Sequence, residues 1–369
     1  MKHSLPKAAK SVSSSDDQAA VSAQAATFDD NELIRTAAKV TRDLNAVRPA
    51  IYWSDLLISA GIGYGAMIAA ILVSGWTWTL VAAMVSVLAL YRAGSFIHEL
   101  THIRRNALPG FHFAWNLIVG IPLLLPSFMY EGVHNLHHAR TRYGTAEDPE
   151  YLPLALMKPY TVPLFVVVSA LAPIGLFIRY ALLAPLSVLI PPLRTLVVER
   201  YSGLVINPEF RRRPPEGDLK KQWYAQEIAA SLWAIGLLTA VATGFLPLDA
   251  FLIAVAIAAG SVVLNQVRTL VAHLWENDGE VMSVTEQYLD SVNVPPPALL
   301  PALWAPVGLR YHALHHLLPG LPYHALGQAH RRISEALPQE STFYRANHLG
   351  LWTLVAGLMR GSSGRPAAE

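Results

Sequence analysis

The chain has 369 residues, of which 53% are hydrophobic and only 15% charged, and its mean hydropathy is +0.34. Soluble domains carry about 25% charged residues, so this composition excludes a disordered chain and points to one membrane-embedded body with polar extensions. A net charge of +2 gives no footing for nucleic acid as a partner, and the absence of cysteine excludes disulfides, thiolate metal sites and cysteine nucleophiles.

Residues 1–30 are rich in Ser, Ala, Gln and Asp and lack the apolar run of a signal peptide, so they read as a disordered cytoplasmic tail. Asn31 to Val47 carries a loose apolar stripe of Leu33, Ile34, Ala37, Ala38, Leu44 and Val47, which predicts a short amphipathic helix able to touch the membrane surface. Residues 1–50 thus form an N-terminal tail. From Leu56 to Tyr91 no residue is charged. Two spans of about 20 residues each fit there, joined near Ser74-Gly75-Trp76, with Arg92 snorkelling from the second, which ends near Ile97.

Ala107 to Tyr130 and Thr161 to Leu193 are apolar but broken by proline, and the latter carries a central Arg179. They are expected to be re-entrant or interfacial helices. Ile228 to Val267 reads as a second hairpin turning at Leu246-Pro247-Leu248-Asp249. Arg104, Arg105, Arg211, Arg212, Arg213, Lys220, Lys221 and Arg268 flank the hairpins, which places these ends in the cytoplasm. The expected fold is therefore an all-α integral membrane protein with two transmembrane hairpins, about four spans, interfacial helices and a helical cytoplasmic cap. The main domain covers residues 51–338. Residues 339–369 hold an interfacial helix, Leu349 to Met359, and a mobile tail.

Fourteen histidines are present, most of them clustered. His98-Glu99-Leu100-Thr101-His102 follows the second span, and an i, i+4 pair shares one helix face. Alone it also matches the zinc protease signature. His134-Asn135-Leu136-His137-His138 and His312-Ala313-Leu314-His315-His316 each offer three imidazoles to a neighbouring site. His273, one turn past the last span, is a ninth candidate. Eight or nine imidazoles exceed what one catalytic zinc needs, whereas a nitrogen-rich pair of iron ions with open positions can bind and activate O2. Carboxylates able to orient imidazole N–H groups are Glu99, Asp148, Glu150 and Asp290. His112 and His324 are structural or substrate-facing, and His3 and His348 are exposed.

These boxes resemble those of the membrane fatty acid desaturase and hydroxylase superfamily, written HxxxH, HxxHH and HxxHH. The resemblance runs from about Ile51 to Pro338 and includes His138-Ala139-Arg140-Thr141-Arg142, Glu147-Asp148-Pro149-Glu150 and Gly308-Leu309-Arg310-Tyr311. It implies a non-haem di-iron centre at the cytoplasmic membrane face, held by His98, His102, His134, His137, His138, His312, His315 and His316. His273 corresponds to the family's extra ligand. It also implies a lipid acyl substrate, O2 as co-substrate, and a separate electron donor of ferredoxin or cytochrome b5 type with its reductase.

The first functional reading is an oxygen-dependent acyl-lipid desaturase. Its alternative is a lipid hydroxylase or oxygenase of the same superfamily, and a distant one is a membrane zinc protease using the first box alone. A transporter is disfavoured because the boxes sit at span ends rather than at mid-membrane. Trp275, Trp304 and Tyr311 are candidates to line an acyl tunnel. The basic run Phe210 to Lys221 suits anionic membrane lipids, an acidic electron donor, or plain topology.

Overall fold

The computed structural model describes residues 31–363. The predicted tail over residues 1–30, with His3, and most of the predicted mobile end lie outside that range. The described chain is all-helical; its extended pairings are isolated bridges such as His273 with Ser291.

Helix α1 covers residues 31–40. Its buried positions, Leu33 and Ala37, pack with Leu44 against Leu314, Ala329 and Ile333. The expected membrane-surface helix thus lays its apolar face on the cap instead, because those partners complete a protein core.

Helices α2 (Pro49–Leu72) and α3 (Trp76–His102) form the first hairpin. At about 1.5 Å per residue each is longer than the roughly 30 Å hydrocarbon core. Pro49 opens α2, where its missing N–H leaves no bond unmade. Gly63 lets the pair approach closely: a Cβ there would stand 2.6 Å from Leu90 Cδ2. Arg92 does not snorkel freely. Its Nε and Nη2 reach Asp55 at 2.7 and 2.5 Å, so the charge is neutralised between α2 and α3.

The 107–130 stretch holds one short helix, α4 (residues 111–120), which turns from α to π geometry at Asn116. Its roughly 15 Å cannot cross a bilayer. Box two forms the single-turn helix α5 (His134–His137).

The second proline-rich stretch differs from expectation. It forms one continuous helix, α6 (Thr161–Leu189), long and apolar enough to span. Proline removes one backbone donor and clashes with the preceding turn. Here a 3-10 turn, Val168–Leu171, precedes Pro173, and a π segment, Ile178–Leu183, precedes Pro185. These local changes of pitch carry the helix past its prolines. The central Arg179 is tolerated because Glu227 receives it at 2.5 Å and Arg194 at 2.7 Å. Arg194 belongs to α7 (Pro191–Tyr201).

Helices α8 (Gly217–Ala242) and α9 (Leu248–Leu270) form the second hairpin, turning where Leu246 and Pro247 predict. Gly260 brings α9 against α3, within 2.9 Å of Val87 for a Cβ. Five helices, α2, α3, α6, α8 and α9, are thus long and apolar enough to cross a membrane, and residues such as Ile58, Trp76, Val188 and Leu232 leave broad apolar surfaces outward.

Beyond α9, helices α10 (Val284–Asp290), α11 (His312–Leu317) and α12 (Tyr323–Ala336) build the cap. Ser283 and Glu286 form a capping box that starts α10. Asn293 ties box three to this cap, its Oδ1 accepting from Leu314 N at 3.0 Å. Helix α13 (Leu351–Ser363) buries Leu354 and Leu358 and leaves Trp352 exposed.

Candidate metal centre

The end of α3, α5, the segment after α9 and α11 converge, and they bring nine imidazoles into two groups. His98, His102, His134, His138 and His315 form one; His137, His273, His312 and His316 form the other. Within each group the potential ligand atoms lie within 4.8 Å of one another. The boxes do not act as units. Each i, i+4 pair (His98 with His102, His134 with His138, His312 with His316) stays in one group, while the i+3 residue, His137 or His315, crosses to the other. The helical turn explains the split: at 3.6 residues per turn i+4 is rotated by about 40° to one side of i and i+3 by about 60° to the other, so the two diverge toward different groups.

The contacts fit a metal. Nε2 atoms face each other at 3.0 Å for His138 and His134, 3.1 Å for His315 and His102, 3.2 Å for His315 and His138, 3.1 Å for His312 and His273, and 3.2 Å for His316 and His312. Two imidazole nitrogens bound to one ion at about 2.1 Å stand roughly 3.0–3.4 Å apart for tetrahedral or octahedral angles. His98 is buried with both ring nitrogens unpartnered, and His315 Nδ1 is likewise unpartnered. Such atoms are costly unless something binds them, and for His98 a metal is the natural partner.

Several of the opposite ring nitrogens are oriented. His137 Nδ1 reaches Asp148 Oδ2 at 2.8 Å. Asp148 is itself fixed by the backbone N–H groups of Gly144 and Glu150. His134 Nδ1 lies 2.9 Å from Glu150 Oε1 and 2.8 Å from the Tyr130 hydroxyl. Tyr130 donates to Glu150 at 2.8 Å. Tyr143 donates to Asp290 Oδ2 at 2.7 Å, so its oxygen accepts from His273 Nδ1, 2.8 Å away. That chain puts the His273 proton on Nδ1 and leaves Nε2 free for a metal. Asp290 therefore acts through Tyr143; its own oxygen is 3.8 Å from His273.

Burial, reinforced by neighbouring imidazoles and, for His273, His312 and His315, by the Arg268 charge, holds His134, His138, His273, His312, His315 and His316 well below the ordinary histidine range, which favours neutral rings that offer lone pairs. His137 is the exception. Burial lowers it, but the carboxylates of Asp148, Glu150 and Asp290 together outweigh burial and raise it. Burial pushes Glu150 up to about 7 and Asp290 up to about 6.

Some predicted roles fail. Glu99 touches no imidazole; it accepts from the Tyr52 hydroxyl at 2.6 Å and from Tyr323 N at 3.3 Å. That orientation also removes it as the base of a zinc protease. A cavity of about 640 Å³ opens onto His98, His134, His137, His273 and His312 and continues between Leu90, Val119, Leu176 and Leu183. Trp275 lines it, whereas Trp304 and Tyr311 do not. The Trp304 carbonyl accepts from Tyr91 at 2.8 Å. Tyr311 lies in the cap core, its ring 5.2 Å from His330.

His112 pairs with Glu131 at 3.0 Å, and His324 accepts from Arg48 N, so neither faces the cavity. His348 is half-buried rather than exposed, and its Nε2 is enclosed. Within the basic run, Arg212 is structural: it donates to the carbonyls of Ser202 and Glu131 and lies 4.2 Å over the Trp223 ring. Arg268, a mere topological flank in sequence, is buried with Nη2 3.0 Å from His312 Nδ1. Tyr130 and Tyr143 carried no sequence signal beyond Tyr130 standing four residues before His134.

The family described as fatty acid desaturase matches residues 72–348. The chain is 49% identical over 336 residues, 91% of its own length and 95% of the relative's, to a ceramide hydroxylase of Caulobacter vibrioides (strain NA1000 / CB15N). No solved structure matches it.

Proposed function

The chain belongs to the fatty acid desaturase family, and from that premise we propose that it is a membrane oxygenase that hydroxylates a ceramide-type lipid. The observation that carries this reading is the pair of imidazole groups opening onto one large cavity, in a chain 49% identical to a ceramide hydroxylase. Desaturation, the first reading of the sequence, gives way to oxygen insertion because of that relative.

Two iron ions fit the donor set. The first would be held among His98, His102, His134, His138 and His315, and the second among His137, His273, His312 and His316. Bound iron supplies the oxidising power for O2 to attack an unactivated C–H bond. In balance, one oxygen atom enters the lipid as a hydroxyl and the other leaves as water, with two electrons and two protons from a separate donor of ferredoxin or cytochrome b5 type. The protein's own part is positional. Leu90, Val119, Leu176 and Leu183 give the chain an apolar berth and exclude water. Asp148, Glu150 and Tyr143 keep His137, His134 and His273 turned toward the ligand positions. The positive flanks support a cytoplasmic position for this face.

Lipid mass spectrometry tests the proposal. Membranes of a ceramide-containing host expressing the wild-type chain would be compared with those expressing His315→Ala. A His315-dependent gain of one oxygen in ceramide is expected. A loss of two hydrogens would restore desaturation, and purified protein holding one zinc and no iron would overturn the di-iron reading.

A further inference from the structure

Arg268 stands in the last turn of α9, where the cavity reaches the imidazoles. It is only 8% exposed, yet among the described residues it makes no ion pair. Its single hydrogen bond runs from Nη2 to His312 Nδ1. The other arginines of the spans are neutralised, Arg92 by Asp55 and Arg179 by Glu227. The Glu150 carboxylate on the same cavity acts on its charge through space but makes no ion pair or hydrogen bond with it, and a buried cation without a directly paired carboxylate is costly. Its neighbours on the same two turns, Asn265, Gln266 and Thr269, also line the cavity, and among the described residues their side chains bond no protein group. Polar side chains in a membrane helix normally pair or serve a ligand. Here four converge at one end of an otherwise largely apolar cavity.

The His312 contact adds a second consideration. A neutral imidazole that gives Nε2 to a metal carries its proton on Nδ1, and an N–H cannot accept from a guanidinium. A metal on His312 Nε2 would thereby free Arg268 from its one protein hydrogen bond.

Resting on the ceramide reading above, we infer that Arg268, with Asn265, Gln266 and Thr269, forms the subsite that binds the lipid's amide carbonyl. The polar end of the substrate then lies at the metal end of the cavity, and its hydrocarbon runs away along the apolar part. Because the guanidinium stands one imidazole ring from the ligand nitrogens, the oxidised carbon lies within about four carbons of the amide, not in mid-chain. Arg268 is accordingly a specificity-determining residue: it sets where the lipid is attacked.

The test uses the purified, metal-loaded full chain in detergent, with binding read from quenching of the cavity-lining Trp115 and Trp275. Wild type should bind ceramide about tenfold to a hundredfold more tightly than a chain-matched analogue with an ether in place of the amide. Arg268→Met should remove that preference with unchanged metal content, and Arg268→Lys should keep part of it. Fragmentation mass spectrometry should place the new oxygen near the amide. Equal binding of the ether analogue by wild type, or an oxygen in mid-chain, would overturn the inference even if Arg268→Met failed to fold. A mid-chain hydroxyceramide would leave the hydroxylase reading standing. Absence of any oxidised ceramide would instead sink that reading, while the wild-type titration would still decide the subsite.

Discussion

The two imidazole groups use one residue type and differ in what holds it. In the four-histidine group, His137 is fixed by Asp148, His273 by Tyr143 and Ser291, and His312 faces Arg268. In the five-histidine group only His134 has a carboxylate partner, while His98 has no partner on either nitrogen and His315 none on Nδ1. In the first group His137 and His273 are oriented by the protein before any metal arrives, whereas His312, whose Nδ1 accepts from Arg268, must change tautomer to offer its Nε2. The second depends on packing, with the His98 ring 4.5 Å from His134 and 4.4 Å from His315. The lesson is that tautomer and aim are set by the partner of the far ring nitrogen, and where none exists the metal itself must supply the order.

The strongest way to break this contrast is His315→Ala. It removes an imidazole from the weakly supported group, and on the proposed function lipid oxidation should fall by about a thousandfold or more, since a bound metal contributes several kcal/mol to charge stabilisation. Retained activity would mean that the five-histidine group is not part of the reacting centre. Asp148→Asn should act on the other side alone. Under chelator challenge, metal affinity of the four-histidine group should drop about 10–100-fold, so metal counts should approach one per chain. Simultaneous loss of both metals would show that the groups are one unit.

A smaller effect is expected for Tyr143→Phe. Ser291 Oγ remains 3.2 Å from His273 Nδ1, so a metal-affinity loss of about tenfold is the expected outcome of the same titration. Glu99→Gln should be mildest. Glu99 bonds Tyr52 and Tyr323 rather than an imidazole, and an amide keeps acceptor oxygen there, so metal content should hold and stability should change by about 1 kcal/mol in thermal unfolding. Loss of metal in that variant would restore Glu99 as an imidazole orienter.

Much of the site was legible along the chain because its histidines come in short helical repeats. His98 with His102, His134 with His138, and His312 with His316 announce shared faces by spacing alone. Asp148 and Glu150 stood close enough to box two to be proposed as orienters, and they lie on His137 and His134. The division of each box between two groups was not legible, because it depends on which way each short helix is turned against its neighbours. Glu99 misled for the same reason: its position in the motif says nothing about Tyr52, 47 residues away, which claims it. Trp304 and Tyr311 are near box three in sequence but face other packing.

By itself the sequence determined an all-helical chain with membrane-length apolar helices and clustered histidines, because hydropathy and helical spacing are local properties of the chain. Tertiary structure alone decided the fifth long helix, Thr161–Leu189, since its proline breaks could be absorbed or not, and decided the fate of each buried charge. Arg179 found Glu227 and became structural; Arg268, among the described residues, makes no direct ion pair and faces the cavity. A charge in a membrane is defined by its partner, and partners separated by tens of residues meet only when the helices pack.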